Sequence, residues 1–146
     1  QTIINNTVMA THRLTIDVSW TGKNFCCAWY EDNTGTVIAT AKTLAKLKED
    51  FVESLKWHIE GCLADGDQVP DYLVNGDYEL EFNLDTSALL RNAETYTTMA
   101  AISRASGINP KQLSHYANGI KQPRPKQRAR IIEGLHVIGS QIMALC

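Results

Sequence analysis

The spacing of apolar residues changes abruptly at Asp85, and no single type of layer accommodates what lies on its two sides. Before it, apolar residues alternate at a period of two and then run on one long helical stripe. After it come several short helical stretches, each opened by a capping residue and closed by glycine or proline. The charge breaks at nearly the same place. Residues 1–95 carry 7 Lys/Arg against 15 Asp/Glu, a net −8, whereas residues 96–146 carry 7 Lys/Arg against Glu133 alone, a net +6. Such asymmetry points to a nucleic-acid-binding segment joined to something else. Two solvated faces of one domain would be the plainer explanation. The unbroken acid-free run between Glu94 and Glu133 weighs against it.

The 146 residues, 44% apolar and 21% charged, are ordinary globular composition and exclude a disordered or fibrous chain. No apolar run approaches the roughly 18 residues of a membrane span. Cys26, Cys27, Cys62 and Cys146 show neither CxxC spacing nor disulfide-scaffold density, so reduced thiols and a cytoplasmic location are expected. Gln1 to Thr11 lacks the basic stretch and longer apolar core of a secretory signal. Asn5-Asn6-Thr7 matches a glycosylation acceptor by chance in such a chain, and Met9 is an alternative start.

From Arg13 the period is two. Leu14, Ile16, Val18 and Trp20 face one way, and Thr15, Asp17 and Ser19 the other. Turn residues at Thr21-Gly22-Lys23-Asn24 and Asp32-Asn33-Thr34-Gly35 separate two further strands, Phe25 to Tyr30 and Thr36 to Thr40, in an antiparallel meander. Thr43 then caps a helix whose stripe is Leu44, Leu47, Phe51, Leu55, His58/Ile59 and Cys62, stopped at Ala64-Asp65-Gly66. A loop through Val69-Pro70-Asp71 leads to a strand with Tyr78, Leu80, Phe82 and Leu84 inward and Glu79, Glu81 and Asn83 outward. The order is β-β-β-α-β, three or four strands covered on one side by one helix.

Beyond it, Asp85-Thr86-Ser87 caps a helix carrying Leu89 and Leu90, and Thr97-Thr98 caps one with Met99, Ile102 and Ala105 inward. Gly107 ends that helix, and Asn109 caps the next with Pro110 at its first position, where a missing N–H is harmless. Pro110 to Ala117 buries Leu113 and Tyr116 and ends at Asn118-Gly119. A stiff basic loop, Lys121-Gln122-Pro123-Arg124-Pro125, precedes a last helix from about Lys126 that buries Ala129, Ile132, Leu135 and Ile138 or Ile142.

The run Ile102 to Gly119, with its Gly107-Ile108-Asn109 turn, Leu113, Asn118-Gly119 and then Pro123, resembles the helix-turn-helix of Cro/repressor-type (Xre-like) DNA-binding domains. Ser103 and Ser106 depart from the alanine and the apolar residue frequent in that family. Met99 stands where a phosphate-touching polar residue is common. The whole chain, by order of elements and by Gly35 and Thr43-Leu44, resembles HicB-type antitoxins. That resemblance implies a first domain of reduced ribonuclease-H-like outline that blocks a small HicA-type RNA-cleaving toxin, and a tail that represses the shared operon.

On this reading Lys111, Gln112, Ser114 and His115 surround buried Leu113 as base readers, since lysine donates to guanine and glutamine pairs with adenine. Asn109, Asn118, Lys121, Arg124 and Arg128 hold phosphates. A solvated helix face is the plain alternative. Asp17, Glu49 or Glu53, and Asp77 or Asp85 would have to converge to make a two-metal nuclease site. Their alternation with buried positions reads instead as outward charge. His58 and Cys62, four apart on a helix, lack further ligands for zinc. Cys26 and Cys27 point to opposite faces of a strand, and Trp20, Trp29 and Trp57 read as core or interface.

The expectation is an α+β chain: a partner-binding domain over residues 13–85, then an all-α helix-turn-helix domain over 86–146. No enzymatic activity, metal or cofactor is expected. Its partners are operator DNA, the small basic toxin and a second copy of itself, because one helix-turn-helix reads few base pairs. The exposed sheet face or the apolar stretch Val137 to Leu145 would supply the self-contact. A ligand-sensing or orphan repressor without a toxin is the alternative.

Overall fold

The structure, a computed structural model, describes residues 12–146. The acceptor match at Asn5 and the alternative start at Met9 lie outside the described residues. The chain is α+β, with a four-stranded mixed sheet and six helices among the described residues. β1 (His12–Trp20), β2 (Phe25–Glu31) and β3 (Gly35–Ala41) form the antiparallel meander. α1 (Leu44–Ala64) then crosses the sheet, and after the short α2 (Asp71–Val74) β4 (Tyr78–Leu84) returns beside β1 and parallel to it. The order is β3-β2-β1-β4. A parallel neighbour needs a crossover of a dozen residues or more, and α1 supplies it.

Alternation in the strands works as the period requires. Leu14, Ile16 and Val18 are buried against Leu47, Phe51, Leu55 and Ile59 of α1, while Thr15 and Asp17 lie on the open face. Thr43 caps α1 by accepting the Lys46 N–H at 3.1 Å. Phe51 and Phe82 meet edge to face at 5.8 Å. The loop expected at Val69-Pro70-Asp71 is in part a helix, since Pro70 opens α2 and buries Leu73 against the sheet core. Trp29 is buried, Trp20 half-buried, and Trp57 stands in solvent on α1.

α3 (Thr86–Ala93) follows β4 with only Asp85 between them, and Asp85 caps it through the Ala88 N–H at 2.9 Å. α4 (Met99–Ser106), α5 (Pro110–Ala117) and α6 (Pro125–Leu145) complete a second core of Leu90, Ile102, Ile108, Leu113, Tyr116, Ala117 and Ile131. α3 serves both cores, with Ala88 in the first and Leu90 in the second. The buried face of α6 differs from expectation: Ile131 and Gly134 are inside, Ala129 is exposed, and Ile142 is exposed. Gly134 lets α6 approach α4 so closely that a Cβ there would lie 2.9 Å from the Ser106 backbone nitrogen. Among the described residues no helix is long and apolar enough to cross a membrane.

Candidate nucleic-acid interface

α4 and α5 are joined by three residues, and each has a physical task. Gly107 adopts φ 74°, the left-handed conformation that closes α4 with its N–H on Ser103 O. Ile108 is buried, and Asn109 caps α5 by accepting the Gln112 N–H at 2.8 Å. The two serines serve the same turn. Ser103 Oγ donates to Ile108 O at 2.6 Å, and Ser106 Oγ donates to Ile102 O at 2.6 Å while accepting the Ile108 N–H. From α6, Arg130 Nη2 donates to Gly107 O at 3.0 Å and fixes the turn from outside.

Leu113, Tyr116 and Ala117 anchor α5, which leaves Lys111 and Ser114 exposed and Gln112 and His115 half-buried. Gln112 Nε2 donates to Tyr116 Oη at 2.9 Å, so its side chain lies along the helix in the free protein. Lys121, Arg124 and Lys126 are exposed in and just after the loop from α5 to α6. Lys111, Lys121, Arg124 and Lys126 make no ion pair among the described residues, so four uncompensated cations sit on α5 and the stretch that follows it. Asn109 is exposed, with its side-chain oxygen spent on the cap. Asn118 accepts from Arg91 Nη2 and donates to Ser114 Oγ at 3.3 Å. It therefore belongs to the end of α5 as much as to the surface.

Arg128 departs most from the phosphate role expected of it. Its guanidinium reaches back to the sheet and donates to Thr86 Oγ1 and Leu84 O, each at 2.9 Å. The reason is geometric: the first turn of α6 lies over the junction of β4 and α3, where a strand-end carbonyl needs a donor. Arg91 ties the same junction on its other side. It donates to Ala117 O at 3.2 Å, pairs with Glu94 and stands 5.7 Å over the Trp20 ring. The Trp20 N–H donates to Ser87 Oγ, and that hydroxyl donates to Asp85. Arg128→Ala is expected to cost about 2 kcal/mol, because it removes two charge-assisted bonds and strands a backbone acceptor. Urea unfolding of the variant measures this, and Arg128→Lys is expected to recover only part, since an ammonium lacks the planar fork.

The acids of the first half are placed differently from a nuclease site. Asp17 lies on the open sheet face and accepts from Asn83. Glu49 and Glu53 are exposed on α1, across the sheet from it, and Asp85 is a helix cap. These groups do not converge. His58 Nε2 and Cys62 Sγ are 3.8 Å apart, and no cluster of three metal-binding side chains occurs among the described residues. Burial pushes the Cys27 thiol up to about 11, against a backbone hydrogen bond from Ala39. Burial, then the Asp67 carboxylate, also raises Cys62. Thiols held protonated are poor nucleophiles and poor ligands.

Asp32, Asp65, Asp67, Asp71, Glu79 and Glu81 are exposed, and Glu31 and Asp77 half-buried. Arg13 bridges Glu79 at 3.1 Å and Glu81 at 3.4 Å, which removes part of the negative field on β4. The acids of the β2–β3 turn and of the 65–71 loop carry the rest. Glu31 is held below the usual carboxylate range: partial burial works against this, but bonds from Thr34 and Asn33 outweigh it. Compared with known proteins, the chain matches no family model, no curated protein and no solved structure.

Proposed function

We propose that the chain is a sequence-specific DNA-binding antitoxin and autorepressor, whose acidic first half holds a small basic RNA-cleaving toxin. The observation that carries the DNA half is the α4–α5 pair, closed by left-handed Gly107 and capped by Asn109, with Lys111, Lys121, Arg124 and Lys126 uncompensated beside it. In this reading α5 enters the major groove. Lys111, Ser114 and His115 meet base edges, and Gln112 joins them once it releases Tyr116. Lys121 and Arg124 hold phosphates, with Asn109 and Asn118 adding their amide N–H groups. Lys126 joins this set and Arg128 leaves it.

The toxin half is supported by exposed carboxylates at Asp32, Asp65, Asp67 and Asp71, because an RNA-binding toxin must itself be basic. A ligand-sensing repressor is the second reading, favoured by an apolar groove between α3 and α6 lined by Leu89, Tyr96, Leu135, Ile138 and Ile142. Co-expression separates the two. The product of a neighbouring short reading frame is expected to arrest growth alone, to be neutralised by the full chain, and to co-purify with it in low salt. A neighbour that stays toxic beside the full chain, or never co-purifies, removes the antitoxin role and leaves the repressor.

A further inference from the structure

We propose that two copies of the chain join edge to edge through β3, continuing the sheet across a two-fold axis at Ile38. Among the described residues β3 is the end of the sheet, and alternate N–H and C=O groups along its outer side meet no strand of these residues. Proteins ordinarily protect such an edge with charge, proline or a bulge. β4, the opposite edge, carries Glu79 and Glu81 with Arg13 across them. β3 reads Gly-Thr-Val-Ile-Ala-Thr-Ala and has no such device. Two large apolar side chains flank it instead. Ile38, 64% exposed, lies on the open face, and Trp57, 65% exposed, stands on α1 beneath the other. Both line one recess along the strand with Thr40, Asp50 and Glu53, and Asp50 is already paired with Lys46 at 2.9 Å.

The occupant is a second copy because the strand is complementary to itself. Antiparallel pairing about Ile38 sets Thr36 opposite Thr40 of the second copy, Val37 opposite Ala39, and Ile38 opposite Ile38. Threonine pairs and β-branched pairs are favourable directly across strands, and a two-fold contact demands this reciprocity. The size also suffices. Seven residues span about 23 Å, and with α1 against β3 the edge is two layers deep. Its footprint is on the order of 500 Å² per copy, or about 1,000 Å² in total, the threshold of a stable interface. The contact stands independently of the DNA reading, and it would set two copies of α5 about one axis.

Sedimentation equilibrium of the full chain without DNA, from about 1 to about 100 micromolar, tests it. The expected result is a reversible dimer whose dissociation constant rises at least about tenfold in Ile38→Lys. The melting temperature is expected to be unchanged at concentrations where both proteins are monomeric, because that side chain is exposed in the single chain. Ile142→Lys, on the exposed end of α6, is expected to leave the dimer intact. Hydrogen exchange is expected to protect the outward amides of β3 in the dimer and to release them on dilution. A monomer throughout, an Ile38→Lys chain that dimerises as before, or dissociation by Ile142→Lys instead would each overturn the proposal. So would β3 amides that stay protected in the dilute monomer, since another part of the same chain would then cover the edge.

Discussion

Raising monovalent salt from about 50 to about 200 mM is expected to weaken duplex-DNA binding roughly 100-fold per copy of the chain, from about four phosphates neutralised at a slope near −0.9 each. The four cations are Lys111, Lys121, Arg124 and Lys126, exposed and unpaired among the described residues. Fluorescence anisotropy at three salt concentrations, on a cognate and a random duplex, measures it. Lys121→Ala is expected to lower the slope by about one and to weaken both duplexes alike, whereas His115→Ala costs about 1–3 kcal/mol on the cognate site alone. Arg128→Ala is expected to leave the slope unchanged, because its guanidinium faces the β4–α3 junction. A flat salt profile would sink the interface as drawn. Equal losses on both duplexes would remove His115 from the readers.

Gly134→Leu is expected to destabilise the helical unit by about 3 kcal/mol, the upper end of ordinary overpacking. A Cβ at that position would sit 2.9 Å from Ser106 N and 3.1 Å from its Cα, so the obstacle is backbone and cannot rotate away. Ser106 also holds the turn before α5 through Ile102 O and the Ile108 N–H, so the loss should reach DNA binding. Gly139, one and a half turns later on the same helix, meets nothing within 4 Å. Gly139→Ala is therefore expected to stabilise by about 0.5–1 kcal/mol through backbone entropy alone. Thermal melts of the two variants should move in opposite directions. A neutral Gly134→Leu would mean that α6 does not press on α4 in solution.

Local chemistry was the legible part of this fold. Period-two alternation located β1 and β4, turn residues set off β2 and β3 between them, and Thr43, Asp85, Thr98 and Asn109 each cap the helix they were expected to cap. The left-handed cap at Gly107 was readable because little else tolerates that backbone. Relations between distant segments were not. Nothing in Tyr78 to Leu84 says that the strand lies parallel to β1 rather than beyond β3, since alternation encodes faces and not neighbours. The phase of α6 was lost because apolar residues occur nearly all round it, and its decisive inward residue, Gly134, carries no hydrophobic signal. Arg128 counted as one basic charge among seven. Its acceptors on Leu84 and Thr86 are more than 40 residues away, beyond any local pattern. Gln112 looked free for a different reason: its partner Tyr116 is one helical turn away, but spacing alone does not say that the amide turns to that hydroxyl rather than outward.

The place of α3 governs how such a chain can be taken apart and recombined. A cut before Thr86 would strip Ala88 from the sheet's core and leave the Leu84 carbonyl without Arg128. A cut after Ala93 would take Leu90 from the helical core and Arg91 from the end of α5. There are two cores but no seam. A foreign helical unit could be grafted onto this sheet only if it brought its own equivalents of Leu90, Arg91 and Arg128.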